Sequence, residues 1–160
     1  MKKIYIASDH AGFFVKGKII SILNKLNYIY EDLGPFNDSS VDYPDYAKKV
    51  ALKVQSNLKN NVGILICGSG TGMQIVANKF NGIRAVFSYD IYSSEMGRKD
   101  NDANILTLRG RNFDETLYEK IVETFLITNF SNLERHKKRL DKIKKIEFEN
   151  NSNGDSNSNN

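Results

Sequence analysis

The chain holds 160 residues, 40% of them apolar, with 23 Lys and Arg against 19 Asp and Glu and a formal net charge of +4. That is one domain of ordinary size, long enough to bury a core, with no apolar run near the ~18 residues that span a bilayer. The start, Met1-Lys2-Lys3-Ile4-Tyr5-Ile6-Ala7, is too quickly polar for a secretory signal, and one cysteine makes no internal disulfide, so a reducing, cytoplasmic setting is expected.

Lys3 to Ser8 reads as a buried strand that ends at Asp9-His10-Ala11-Gly12. Phe13 to Leu26 carries Phe14, Ile19, Ile22, Leu23 and Leu26 at helical spacing. Tyr28 to Leu33 is a second strand, stopped by Gly34-Pro35, and a polar loop from Asn37 to Tyr43 leads to Pro44. Tyr46 to Leu58 repeats the helical period through Ala47, Val50, Ala51 and Val54. Val62 to Cys67 is a third strand, Thr71 to Phe80 a short helix and Ile83 to Phe87 a fourth strand. Tyr89 to Lys99 reads as helix, Asn104 to Leu108 as the fifth strand, and Glu115 to Ile127 as helix. Leu133 to Phe148 closes the fold with Leu133, Leu140, Ile143 and Ile146 on one stripe.

Nearly all-apolar strands alternating with helices are covered on both faces. The pattern predicts an α/β fold: a doubly wound, Rossmann-like, five-stranded parallel sheet with helices on both faces, followed by a C-terminal helix. Residues 1–149 form this one domain. Residues 150–160, almost entirely Asn, Ser, Gly and Asp, are expected to be a disordered tail. Between residues 130 and 149 seven Lys and Arg face four Asp and Glu, a local basic patch weaker than the pervasive basicity of a nucleic-acid binder. No nucleic-acid or membrane partner is expected.

In sheets of this class ligands bind at the carboxyl ends of the strands. Asp9 and His10 follow the first strand, Cys67 and Ser69 the third, and Arg111 the fifth. The turn Gly68-Ser69-Gly70-Thr71-Gly72 lacks the third glycine of a dinucleotide fingerprint, because Met73 stands there, and no Gly-Lys-Ser/Thr follows as in a P-loop. What remains is a nest of backbone N–H groups suited to an anion, or simply a tight turn. Cys67 reads either as a small buried apolar residue or as a thiolate favoured by a helix N-terminus and able to remove a proton. Ser69 would orient the thiol or the substrate. Arg135 and Arg139, four apart on a helix, share a face and either grip one anion together or belong to a solvated basic face.

Taken in order, Ser8-Asp9-His10-Ala11-Gly12, Asp42-Tyr43-Pro44, Ile66-Cys67-Gly68-Ser69-Gly70-Thr71-Gly72, Ala77-Asn78-Lys79, Gly82-Ile83-Arg84-Ala85, Asn101-Asp102-Ala103-Asn104 and Arg135-His136 resemble the type B ribose-5-phosphate isomerases. That family also includes the galactose-6-phosphate isomerase subunits, and the resemblance covers roughly residues 1 to 148. It implies aldose-ketose isomerisation of a phosphorylated sugar, typically ribose 5-phosphate to ribulose 5-phosphate, through a cis-enediolate and without metal or nucleotide cofactor. Cys67 would be the base, assisted by Ser69, and the backbone N–H groups of Ser69, Gly70, Thr71 and Gly72 the anion hole, with Gly68 also among the substrate-binding residues. Some members use a glutamate where this chain has Met73. His10 and Arg111, with Arg135 and Arg139 of a second subunit, would hold phosphate. Asp9 and Tyr43 would contact sugar hydroxyls, and Asn101 would act at the enediolate. A site shared between subunits implies a homodimer, with a tetramer the next size open.

One position departs from the family. Asp100 stands where a histidine usually opens the furanose ring. A carboxylic acid ionising near pH ~3.9 is a far poorer proton donor at neutral pH than an imidazole near ~6.5. Three alternatives follow: a buried Asp100 with a raised pKa; an acid supplied by His10; or slow work on furanoses or work on a different sugar phosphate. A six-carbon sugar phosphate as substrate, and a non-catalytic sugar-phosphate sensor, are the competing readings.

Overall fold

Five strands, β1 (Lys3–Ser8), β2 (Tyr30–Asp32), β3 (Asn61–Cys67), β4 (Ala85–Phe87) and β5 (Ile105–Arg109), pair in the order β2-β1-β3-β5-β4, every pair parallel. The computed structural model describes residues 2–155. All seven residues of β3 are buried, as a strand covered on both faces requires. β1 pairs along it from Lys3↔Asn61 to Ser8↔Ile66, and β5 from Gly63↔Ile105 to Cys67↔Arg109. The carboxyl ends of β1, β3 and β5 therefore emerge side by side.

The helices are α1 (Phe13–Lys25), α2 (Tyr43–Gln55), α3 (Thr71–Ala77), α4 (Ile91–Asn101), α5 (Tyr118–Ile127) and α6 (Glu134–Asp155). Alternate side chains of the sheet feed two buried layers. Ile4, Ile6, Ile64, Ile66, Leu106 and Leu108 cluster with Ile19 and Leu23 of α1 and Ile121 and Phe125 of α5. Tyr5, Ala7, Leu65, Cys67 and Ile105 cluster with Val50 and Val54 of α2 and Met73 and Ala77 of α3. Lys16 of α1 is buried too. Its Nζ lies 2.7 Å from both carboxylate oxygens of Asp32 and donates to Pro35 O at 2.8 Å, which pins the end of β2 to α1.

The expected elements are present, and side-chain caps move several of their ends. α2 begins at Tyr43 rather than Tyr46, because Pro44 in its first turn has no N–H to leave unpaired. α3 stops at Ala77 rather than Phe80, where the Asn78 amide turns to Ala85, accepting from its N–H at 2.7 Å and donating to its C=O at 2.9 Å. β4 starts at Ala85 rather than Ile83, since Asn104 Oδ1 takes the Arg84 N–H at 2.8 Å. α4 opens at Ile91 on a capping box in which Asp90 Oδ1 accepts from Ser93 N at 2.7 Å. A 3-10 turn, Glu115–Leu117, precedes α5. α6 continues to Asp155, six residues into the segment expected as tail, and 156–160 lie outside the described residues. Among the described residues no helix is long and apolar enough to cross a membrane.

Ile64 is fully buried at the middle of β3, flanked by both ladders. Ile64→Ala is expected to lower the unfolding free energy by about 3 kcal/mol, read as a lower urea midpoint at unchanged slope.

Candidate active site

The carboxyl edge gathers most of the residues singled out in the sequence. Asp9 is nearly buried and caps the short turn His10–Gly12, its Oδ1 accepting from Gly12 N at 2.8 Å. Its own N–H donates to Ile66 O at 3.1 Å, which ties the end of β1 to the end of β3. The Nδ1 of His10 lies 3.3 Å from Val41 O and 3.4 Å from Val41 N, so its imidazole holds the loop that enters α2. Tyr43 opens that helix. Its ring lies against Gly72, where an added Cβ would stand 3.0 Å from Tyr43 Cε2.

Cys67 is the last residue of β3 and only 4% exposed. It sits at the rim of the α2–α3 apolar layer, so the bland reading of a small packed residue holds for its surroundings. Its carbonyl accepts from Gly110 N at 2.8 Å, and the carbonyl of Gly68 accepts from Arg111 N at 3.2 Å. Gly110 is what lets the chain leaving β5 pass so close to the His10–Gly12 turn: a Cβ there would stand 2.7 Å from Ala11 O. The Arg111 side chain folds over Gly68, its Nη1 3.6 Å from where that residue's Cβ would be. Arg111 thus delivers a guanidinium beside Gly68, the residue that follows Cys67.

The turn itself is held open and stiff. Gly70 has φ 80° and caps α3, and a Cβ there would fall 2.5 Å from the Phe87 ring, so only glycine fits. Ser69 is exposed, and its Oγ accepts from Thr71 N at 3.4 Å. Beneath the edge, Tyr118 OH donates to Arg109 O at 2.8 Å. Burial pushes that phenol up to about 12, which keeps it a donor throughout the neutral range.

Asp100 and Asn101 do not join this group within one chain. α4 begins after β4 at the carboxyl edge and runs back along the sheet. Its eleven residues span about 16 Å at 1.5 Å each, so its last turn lies at the amino edge. Arg84, just ahead of β4, confirms the place: its Nε donates to Asn101 O and Asp102 O, each at 2.9 Å. Asp102 caps the helix in a left-handed conformation, its carboxylate bridging Arg84 Nη2 at 2.8 Å and Arg98 Nη1 at 3.0 Å. The expected catalytic set is therefore two groups, Cys67 and Ser69 at one end and Asp100 and Asn101 at the other.

Arg135 and Arg139 stand exposed on α6, which packs against α4 near the amino edge. Between them the buried His136 meets Asp100, Nδ1 to Oδ1 3.5 Å. Asp100 itself is 40% exposed in the single chain. Sequence reasoning placed His136 in a motif and gave it no part. Its signal, a charged residue two helices earlier at the same edge, appears only in three dimensions. Among the described residues no group of three or more His, Cys, Asp or Glu side chains is arranged to hold a metal ion.

Known proteins share this sequence pattern and fold. The sequence model described as Ribose/Galactose Isomerase matches residues 4–143. The protein named ribose-5-phosphate isomerase B in Escherichia coli is 40% identical over 147 residues, covering 92% of this chain and 97% of its own. The solved ribose-5-phosphate isomerase B of Clostridium thermocellum superposes with a TM-score of 0.87 at 44% identity, covering 92% of this chain and 98% of that one. That of Mycoplasma genitalium, solved with bound ribulose-5-phosphate, gives 0.87 at 40% identity, covering 92% and 97%. Sequence and fold agree: this chain belongs to the ribose/galactose isomerase family.

Proposed function

We propose that the chain interconverts ribose 5-phosphate and ribulose 5-phosphate, with each site completed by a second copy in a cytoplasmic homodimer. The observation that carries this reading is the carboxyl-edge cluster. A thiol ends β3, a glycine turn of fixed shape follows it, and a guanidinium folds over the first glycine. Relatives that match nearly the whole chain are named ribose-5-phosphate isomerase B, and one of them is solved with ribulose-5-phosphate bound.

The chemistry follows from the groups available. Cys67, as thiolate, takes the proton from C2 of the open-chain aldose. The C2–H electron pair becomes the C1–C2 double bond of a cis-enediolate, and the negative charge moves to O1. Main-chain N–H groups from Ser69 to Gly72 stabilise that charge where it develops. The proton returns to C1 and the O2 hydroxyl proton passes to O1, leaving a ketone at C2. His10 and Arg111 hold the phosphate from this chain, and Arg135 and Arg139 of a second copy close over it. Asp9 and Tyr43 hold sugar hydroxyls, and Asn101 of the second copy steadies the enediolate. A dimer is built into the reading, because the amino-edge group of one copy must meet the carboxyl-edge group of the other.

Cys67→Ala is expected to lower kcat about a thousandfold and to abolish C2 proton exchange, measured as deuterium uptake from heavy water. Detectable exchange in that variant removes Cys67 as the base. Asp100→His restores a ring-opening acid and should speed turnover of the furanose, assayed as ketose formed from ribose 5-phosphate; an equal or slower rate sinks that role for position 100. Mixing Cys67→Ala with Arg135→Ala/Arg139→Ala, each nearly inactive alone, should recover about a quarter of the wild-type rate, because half of the random dimers carry one intact site. No recovery on mixing excludes a site shared between copies.

A further inference from the structure

One imidazole behind the exposed face of α6 joins three segments. His136 is 2% exposed. Its Nδ1 lies 2.7 Å from Ser131 Oγ and 3.5 Å from Asp100 Oδ1, while its Nε2 accepts from Arg135 Nε at 3.1 Å. An arginine nitrogen only donates, so Nε2 holds a lone pair and the ring proton sits on Nδ1. The ring is thereby fixed as one neutral tautomer. The loop beneath it is tied down as well: Ser131 N donates to Lys99 O at 2.9 Å, joining the last turn of α4 to the entry of α6.

Charge makes this placement consequential. Arg135 and Asp100 lie on either side of the ring, both reaching solvent. Without a group between them, a guanidinium and a carboxylate so close would pair with each other and withdraw from any ligand. A neutral imidazole accepts from Arg135 through Nε2 and gives its one N–H to Ser131 Oγ, so it stands between the two charges, 3.5 Å from Asp100, and cancels neither. It occupies only the Nε of Arg135, leaving the two terminal amino groups of that side chain for an anion.

We propose that His136 is a positioning residue that holds Arg135 and Asp100 apart in fixed register, so that one copy presents a phosphate grip and a carboxylate together to its neighbour's substrate. The inference rests on the reading above, with Arg135 on the phosphate and Asp100 at the position from which the family usually opens the furanose ring.

Two substitutions separate the two contacts. H136N keeps an amide near the Nδ1 position and loses the acceptor for Arg135. It should raise KM for ribose 5-phosphate, and the inhibition constant of inorganic phosphate, about tenfold, with kcat held within about twofold. H136Q keeps an acceptor near the Nε2 position and loses the contact to Asp100. It should lower kcat about tenfold with KM held within about twofold. A merely structural histidine would move both parameters together in both variants, or neither, and either result overturns the proposal.

The wild-type protein supplies a check that does not depend on variants folding. The chain has two histidines, so the ring ¹⁵N spectrum is assignable. A protonated Nδ1, with an unprotonated Nε2 that shifts on addition of inorganic phosphate, is expected. A protonated Nε2, or no response to phosphate, overturns the assignment. Arg135→Ala distinguishes the levels: unchanged inhibition by phosphate removes the underlying reading of Arg135, whereas weakened inhibition beside silent His136 variants removes only the coupling.

Discussion

Two ladders, one on each side of β3, decide where everything else stands. Parallel pairing to β1 and β5 aligns three strand ends within neighbouring positions of one sheet. The backbone then knots those ends together: Asp9 N to Ile66 O, Gly110 N to Cys67 O, Arg111 N to Gly68 O. These bonds lie just past the regular ladder, where loops would otherwise splay. They turn three separate loops into one surface, and the side chains at that surface inherit its rigidity.

The opposite edge is built by another device. There a left-handed Asp102 carries its carboxylate between Arg84 and Arg98, while Arg98 packs over the Phe125 ring and donates to the carbonyls of Ala103 and Thr128. Arg98 is almost wholly buried, so its charge requires these partners. The network fixes the last turn of α4 and, through Lys99 O and Ser131, the start of α6. Each edge therefore holds its polar groups by buried bonds of its own, with a hydrophobic sheet between them.

The fold was largely legible in the sequence because strands covered on both faces carry unbroken apolar runs, and Ile4 to Ala7 and Val62 to Cys67 have no other reading so economical. Element ends were less legible. Asn78 and Asn104 end or delay elements through side-chain bonds to distant backbone, which no local propensity encodes. Most carboxyl-edge residues were legible because they sit at or just past a strand end, whereas Tyr43 stands at the head of α2. The separation of Asp100 and Asn101 from Cys67 was available in principle, since a helix between two parallel strands must return to the edge where the second strand begins. The contact of His136 with Asp100 was not available, because it depends on how α6 crosses the end of α4.

Opposite placement of the two polar edges bears on how such a chain diverges. In the proposed dimer every working centre draws one edge from each copy. After a gene duplication, one descendant is free to lose Cys67 and its glycine turn while the other loses Arg135 and Arg139, provided the two products still associate. Neither paralogue would then act alone, and the pair would keep one centre, shaped by two sequences drifting under separate selection. The sheet between the edges, which both descendants need in order to fold, would change least.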